Sequence, residues 1–243
     1  MEEVRVMIAR DKYLNFPIQM LEGFMIDTEY CLFQILGYAI YDTVYSENAI
    51  YDSCDEFWEK TEIWADSLHK REQELLVAGE SWYNRISRLE KNPPFVGIRT
   101  DLFLDFYEHE SSEFEKICLL AFLAMRSIIG KASYKRMTVR YLICRMSGFP
   151  GIEVDMADPP EEIIHWMGSE SKRKRIYSNL KKRYKMIKAY KANGIICSFI
   201  LCQTELEKVL RENRDKRIKS NKSKERIAWE QAQKQFEAKN PDK

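Results

Sequence analysis

One segment limits the possible folds of this chain more than any other. Residues Ser171 to Ala192, SKRKRIYSNLKKRYKMIKAYKA, include ten Lys or Arg and no acidic residue. Ile176, Leu180 and Tyr184 recur every four residues, which is the spacing of one face of an α-helix. The basic side chains between them must project from the other face. The segment therefore predicts a helix over residues 171–184 with one apolar and one cationic face.

The residues after this helix predict a β-hairpin. The hydrophobic period changes toward two from Lys185, and Asn193-Gly194 precedes the apolar run IICSFIL. Asn-Gly supplies the two positive-φ residues of a tight type I′ turn. Thr204 then caps a last ordered helix over TELEKVLREN. The tail 211–243 is too polar to bury much surface, so we expect it to be mobile or a frayed helix. Its cations either add nonspecific phosphate contacts or only solubilise the end of the chain.

The charges are unevenly distributed along the chain. Residues 1–170 carry 17 basic and 30 acidic side chains, a net charge of −13. Residues 171–243 carry 22 basic and 8 acidic side chains, a net charge of +14. The overall charge of +1 hides this polarity. The pattern indicates a polyanion-binding end joined to an acidic body.

The cysteines and histidines argue against a metal site. The six cysteines contain no CxxC pair, and most stand within apolar patterns, as small buried hydrophobic residues do in a reducing compartment. Cys197 and Cys202 are expected on opposite faces of a strand. His69, His109 and His165 are far apart and have no metal-ligand spacing. We therefore expect no metal and no cofactor.

The sequence predicts a soluble cytoplasmic protein. Its first residues, MEEVRVMIARDKY, include early acids and no apolar signal-peptide region. The longest uncharged run, near residues 30–41, is shorter than the roughly 18–20 residues that cross a bilayer. We expect no membrane association.

Capping residues predict that the chain is mostly helical up to about residue 150. A weak alternation near the N-terminus favours one short strand, at Val4, Val6 and Ile8. The expected helix starts are at Pro17, Asp27 or Thr28, Ser53 with Glu56, Thr100, and Ser112 with Glu115. The expected helix ends are at Gly23, Gly79, Gly130 and Gly148.

Two proline motifs divide the helical pattern. Asn92-Pro93-Pro94 stops a helix over residues 81–91 and marks a boundary between subdomains. A further helix spans roughly Arg136–Ser147. Asp158-Pro159-Pro160 then begins the helix PPEEIIHWM, and Gly168 separates it from the basic helix. Two short helices joined by a turn that contains Gly have the spacing of a helix-turn-helix.

These residues support a resemblance to a known family. The stretch MGSESKRKRIYSNLKKRYKMIKAYKANGIICSFIL resembles the second half of a winged helix-turn-helix DNA-binding domain. With the preceding helices the resemblance covers roughly residues 111–215. We therefore expect a mainly α fold in which a helical N-terminal region, 1–110, precedes a winged-helix-like domain with one small β-hairpin, 111–215. Residues 216–243 are expected to form a charged mobile tail.

The resemblance implies that helix 171–184 enters the major groove and that the hairpin lies beside the backbone or the minor groove. The apolar stripe turns six residues outward: Ser171, Lys174, Arg175, Ser178, Lys181 and Lys182. Of these, Lys174, Arg175 and Ser178 are candidates for base contacts. Candidates for phosphate contacts are Lys172, Arg173, Lys181, Lys182 and Arg183. In the hairpin, Lys188, Tyr190 and Lys191 are candidates for backbone contacts.

Enzymatic activity has little support. The chain has no phosphate-binding GxxxxGK, no GxGxxG, no nucleophile elbow and no HExxH. Asp101 and Asp105 are spaced to share a helix face and in principle suit magnesium in a nuclease, although an exposed helical face explains them more simply. Aromatic residues are expected to pack in the core or the hairpin rather than to bind ligands: Trp58, Trp64, Trp82, Tyr177, Tyr184 and Tyr190.

The expected function is duplex-DNA binding, for transcription regulation or replication initiation of a bacterial, plasmid or phage genome. Residues 1–110 would provide dimerisation or a partner surface, and their acidity is expected to weaken nonspecific DNA binding. One alternative is an inhibitor or adaptor whose basic helix binds an acidic protein. Another is RNA binding through the same face.

Overall fold

The computed structural model describes residues 12–47, 49–89, 93–151, 159–191 and 194–239. It confirms a mainly α fold with a few short strands. The helices in these ranges are α1 (Thr28–Val44), α2 (Cys54–Thr61), α3 (Asp66–His69), α4 (Glu72–Ser87), α5 (Thr100–Glu108), α6 (Glu113–Ile129), α7 (Val139–Met146), α8 (Glu161–Gly168), α9 (Glu170–Arg183) and α10 (Gln203–Lys239). A short 3-10 helix, Ile18–Leu21, follows Pro17 as expected.

The strands form two small antiparallel sheets, where the sequence predicted one hairpin and one short N-terminal strand. β1 (Tyr13–Pro17) pairs with β2 (Phe95–Arg99). β3 (Lys135–Met137), β4 (Ile187–Lys191) and β5 (Gly194–Ser198) form a second sheet in the order β3-β5-β4. β1, β2 and β3 are only three to five residues long, too short for clear alternation. The strand expected at residues 4–8 lies outside the described ranges.

The helix expected between Ser53 and Gly79 is divided into three. Glu62 adopts a left-handed conformation with φ 56° after α2, and α4 begins only at Glu72. Gly79 lies inside α4 and does not end it. A methyl group on Gly79 or Gly37 would overlap the backbone of the other helix, so the two glycines allow α1 and α4 to approach closely. The predicted helix over 81–91 is part of α4 as far as Ser87.

The central element is α6, which begins with the predicted capping box. Ser112 Oγ accepts from the Glu115 amide at 3.3 Å, and Glu115 Oε2 accepts from the Ser112 amide at 3.0 Å. Most of the helix from Ile117 to Ile129 is buried. It contacts β2 and the 3-10 helix on one side, and α7, α9 and β3 on the other. Residues on both sides of position 110 therefore contribute to one core.

The segment after α6 corrects one predicted helix. Residues 135–137, expected at the start of a helix, form β3, and α7 starts at Val139 with Thr138 as its N-cap. The Thr138 hydroxyl oxygen accepts from the Tyr141 amide at 3.1 Å. The predicted cap at Asp158 lies outside the described residues, and α8 begins after Pro160.

The β4–β5 hairpin is confirmed, but its turn differs from the prediction. Lys191 pairs with Gly194, so the two connecting residues are 192–193 and not Asn193-Gly194. Neither connecting residue is among those described. Gly194 instead begins β5, where an added methyl group would collide with the Met137 carbonyl oxygen of β3. The glycine is therefore needed because it lets β5 lie close to β3 in the sheet.

The last helix is much longer than predicted. Glu205 Oε2 accepts from the Cys202 amide at 2.7 Å, so the helix is capped at Cys202 and begins at Gln203. It continues to Lys239, where a mobile segment or a frayed helix was expected. Residues 211–231 are exposed. None of the helices within the described ranges combines the length and apolar character needed to span a bilayer.

Candidate nucleic-acid interface

The basic helix α9 is fixed to the core by its apolar stripe. Ile176 and Leu180 are fully buried, and Tyr177 is 4% exposed. The half-buried Tyr184 ring stacks on Phe122 of α6, with ring centroids 4.3 Å apart. Burial raises the pKa of Tyr184 to about 12. The predicted orientation of the helix is therefore confirmed, and both tyrosines pack inward.

The opposite face of α9 forms a continuous exposed row. Each of the six residues predicted to face outward is exposed, and we call them the outer row: Ser171, Lys174, Arg175, Ser178, Lys181 and Lys182. The helix starts at Glu170, one residue earlier than predicted, and Lys174 Nζ lies 2.8 Å from Glu170 Oε1. The hydrogen bond from Lys174 lowers the pKa of Glu170. This acid, just outside the predicted span, partly neutralises the start of the row.

An aromatic platform supports Arg175. Its guanidinium carbon lies 5.3 Å from the ring centroid of Phe114 and 5.5 Å from that of Trp166. The Trp166 indole N–H donates to Glu113 Oε1 at 2.5 Å. Two helices distant in sequence, α6 and α8, thus limit where this cation can point. No spacing in the sequence indicated the platform.

Two predicted phosphate contacts have partners in α8. Arg173 donates to the carbonyl oxygens of Met167 and Gly168 at 2.5 and 2.9 Å, the last residues of that helix. These bonds satisfy carbonyls that have no partner within α8. Lys172 Nζ lies 2.5 Å from His165 Nε2. Both residues therefore help to hold α8 and α9 together across the single linking residue Ser169.

Arg183 lies apart from the outer row. Its Nη2 is 2.6 Å from Asp105 Oδ2 of α5, and Nη1 is 4.0 Å from Glu115 Oε1 of α6. Its guanidinium carbon also lies 5.5 Å from the Phe106 ring centroid. Hydrogen bonds from Ser112, with a smaller effect of the Arg183 charge, lower the pKa of Glu115. Arg183 thus connects the basic helix to the acidic part of the chain.

The hairpin places one predicted residue beside α9. Lys188 Nζ lies 4.7 Å from the ring centroid of Tyr177. Tyr190 and Lys191 belong to β4 and pair with Ile195 and Gly194, but their side chains are outside what the structure describes. β4 and the apolar face of α9 therefore meet at Tyr177.

The remaining candidates are dispersed. Trp58 is buried as expected, but Trp64 is 67% exposed and does not belong to the core. Trp82 is partly buried against the core. Cys197 is buried in β5, whereas Cys202 is exposed beyond the strand. The prediction that these two cysteines occupy opposite faces of one strand is therefore wrong.

Both acidic residues proposed for magnesium, Asp101 and Asp105 of α5, form ion pairs with arginines. Asp101 accepts two hydrogen bonds from Arg99, at 3.0 and 2.5 Å, and Asp105 accepts one from Arg183 at 2.6 Å. Within the described ranges, no three His, Cys, Asp or Glu side chains are grouped so that they could hold a metal ion.

Comparison with known proteins gives no relative of this chain: no family model, curated protein or solved structure matches it.

Proposed function

We propose that this protein binds duplex DNA through the outer row of α9 and the β4–β5 hairpin. The observation that carries the proposal is a basic helix with one buried face and one exposed cationic row, followed directly by a hairpin. The element order α6-β3-α7-α8-α9-β4-β5 and the sheet order β3-β5-β4 support a winged helix-turn-helix, in which a hairpin completes a small sheet behind the second helix of the motif.

The dimensions of the outer row suit a major groove. Residues 171–182 rise about 17 Å along the helix axis at 1.5 Å per residue. The groove of B-DNA is about 12 Å wide and admits an α-helix. A row of this length would contact several consecutive base pairs and the phosphates beside them.

The contacts of each cation suggest separate roles. Lys174, Arg175 and Ser178 lie between the start and the centre of the row and are the proposed base contacts. Lys181 and Lys182 are exposed near the end of α9 and are the proposed phosphate contacts. Arg173, bonded to α8 carbonyls, is better suited to positioning the two helices than to gripping DNA.

The proposed biological role is transcription regulation or replication initiation for a bacterial, plasmid or phage genome, in the cytoplasm. The N-terminal part would pair two copies or bind a partner, because readers of DNA half-sites often act as dimers. The contact of Arg183 with Asp105 offers a direct route by which such pairing could affect the end of α9.

A second candidate function is protein binding, and one observation favours it. α1 and α4 expose apolar side chains in their shared groove, where Tyr30 is 56% and Val77 68% exposed. The half-buried Trp82 lines the same groove. Exposed apolar groups of this kind are common at protein interfaces, so an adaptor or inhibitor is the main alternative to a DNA-binding protein.

The test is duplex-DNA affinity across a salt series, for the wild type and the K174Q/K181Q/K182Q variant. If about five phosphates are neutralised, log K falls with log salt at a slope of about −4 to −5, and each lost contact flattens the slope by about 0.9. The matched control K60Q/K70Q/R88Q removes the same charge from exposed sites elsewhere and should keep the wild-type slope.

Three results would reject the proposal. If the wild type shows no salt-dependent binding of duplex DNA, protein binding becomes the favoured function. Tighter binding of structured RNA than of duplex DNA, measured in parallel, would instead favour an RNA-binding protein. An equal flattening of the slope in the control variant would show that overall charge, and not the outer row, attracts the DNA.

A further inference from the structure

A cleft of about 550 Å³ lies where the end of α9 meets the N-terminal sheet and helices. Its walls come from β1, β2, α5, α6, the end of α9 and the residues just after it, and Phe199 after β5. Volumes of 300–1,000 Å³ are typical of small-molecule sites. The cleft is therefore large enough for one small ligand. It lies at the opposite end of α9 from the proposed base contacts.

The cleft has an excess of positive charge. It contains four cations, and two of them have acidic partners within it: Arg99 pairs with Asp101 and Arg183 with Asp105. The other two are Arg126 and Lys185, and neither takes part in an ion pair among the described residues. Two positive charges in a recess are thus available to an anionic ligand.

Lys185 occupies an unusual backbone position. It lies just beyond the C-cap of α9 with φ 54°, a left-handed conformation that is usually adopted by glycine after a helix. A residue with a Cβ costs about 1 kcal/mol or more there. The long cationic side chain is placed at the cleft despite this cost, which indicates that the side chain has a use.

Aromatic rings also line the cleft and could contact the planar part of an anionic ligand. Tyr13 is 38% exposed at the cleft. Phe199 also lines it, and the Arg126 guanidinium carbon lies 5.8 Å from the Phe199 ring centroid. Phe199 in turn packs edge-on against Phe122 at 5.3 Å between centroids, which fixes its orientation. A ring beside an arginine can stack on a planar group while the arginine binds an attached phosphate.

We infer that this cleft binds a nucleotide, with its phosphates at Arg126 and Lys185 and its base against Phe199 or Tyr13. The inference does not depend on DNA binding, because its residues are outside the outer row. A nucleotide bound here would also touch Arg183 and Asp105, the ion pair that joins the basic helix to the acidic part of the chain. The cleft is thus suited to an effector of the proposed DNA-binding surface.

The test is equilibrium binding of ATP to the full chain by calorimetry, with AMP, adenosine and tripolyphosphate in parallel. Saturable ATP binding is expected. Adenosine should bind at least tenfold more weakly because it lacks phosphate, and tripolyphosphate at least tenfold more weakly because it cannot stack. Tripolyphosphate binding as tight as that of ATP would overturn the nucleotide assignment, as would no binding of any probe at millimolar concentration.

Three variants locate the site. R126Q should weaken ATP binding about tenfold or more, because a charge-assisted contact is lost. K185G should also weaken it, yet raise the midpoint of thermal unfolding, because glycine relieves the positive φ. R140Q, which removes an exposed arginine from α7 outside the cleft, is the matched control. Unchanged ATP affinity in both R126Q and K185G, with the fold intact by circular dichroism, would overturn the inference.

Discussion

The helices α9 and α10 are both rich in Lys and Arg, but α9 packs on the core, whereas α10, among the residues described, packs on the rest of the protein only near its start. α9 buries Ile176, Tyr177 and Leu180. α10 buries Leu206 near its start, and its residues 211–231 are all exposed. Charge alone therefore does not distinguish a binding surface from a solvated helix. The two helices differ in whether contacts within the protein hold their cationic side chains in place.

Two cations of α9 are held in place by contacts within the protein. The Arg175 guanidinium packs against the rings of Phe114 and Trp166. Arg173 donates hydrogen bonds to the carbonyl oxygens at the end of α8. Side chains that are already positioned lose less conformational entropy on binding. The exposed cations of α10 must be ordered by their ligand, apart from such pairs as Arg226–Glu230. Under the proposed DNA-binding function, α9 would therefore supply sequence discrimination and α10 nonspecific attraction.

The largest expected difference between the two helices is in stability. Leu180→Ala should lower the free energy of unfolding by about 2–5 kcal/mol, because it leaves a cavity beneath α9. Ile218→Ala in α10, where the side chain is 41% exposed, should change it by no more than about 0.5 kcal/mol. Urea denaturation followed by circular dichroism measures both. Similar losses would show that α10 is also packed against something.

Removing the exposed part of α10, after Glu212, should lower the affinity for DNA but leave the sequence preference unchanged. A chain that ends at Glu212 lacks ten Lys and Arg residues, seven of them between residues 214 and 226. We expect the slope of log K against log salt to flatten by about 2–3, because phosphate contacts are lost. The ratio of affinities for a selected site and a random duplex should stay within about twofold. A collapse of that ratio would assign discrimination to α10 instead.

The aromatic platform should contribute a smaller effect. Trp166→Ala removes one ring from Arg175, and a cation–π contact is worth about 0.5–2 kcal/mol. We expect DNA affinity to fall about three- to tenfold at constant salt, with the loss concentrated on the selected site. Trp229→Ala in α10, where the ring is 68% exposed, is the matched control and should leave affinity unchanged. If both substitutions lower DNA affinity equally, the platform does not contribute by holding Arg175 in position.

The smallest effect should appear in thiol chemistry at the start of α10. Cys202 is exposed, whereas the other five cysteines are buried. Burial raises the pKa of Cys197 to about 12, so at pH 8 this thiol stays protonated and unreactive until the chain unfolds. Iodoacetamide at pH 8 should therefore modify one thiol per native chain quickly, and peptide mapping should locate it at Cys202. Rapid labelling of Cys197 would show that β5 opens together with the start of α10.

The sequence predicted the locally encoded features. The capping box of Ser112 and Glu115, the N-cap at Asp27 and the buried stripe at Ile176 and Leu180 are confirmed. Each depends on residues within one or two turns of a helix. The outward direction of the outer row followed from the stripe by helical geometry alone.

Features set by distant partners were missed. β1 pairs with β2 across about eighty residues, and Gly79 lies within a helix where it closely approaches Gly37 of another helix. The contacts of Arg175 with Phe114 and of Arg183 with Asp105 also join separate elements. No periodicity within one segment encodes such pairs. For the same reason, the cleft near Lys185 became visible only in the folded chain.

Site-specific photocrosslinking tests most directly whether the outer row of α9 contacts DNA. Benzoylphenylalanine would replace Ser178, at the centre of the row, and in a matched chain Val77 of α4, which is 68% exposed. Irradiation with a bound duplex should crosslink the chain substituted at position 178 and not the one substituted at 77. If both chains bind the duplex and position 178 gives no crosslink, α9 does not enter the groove and the account is wrong.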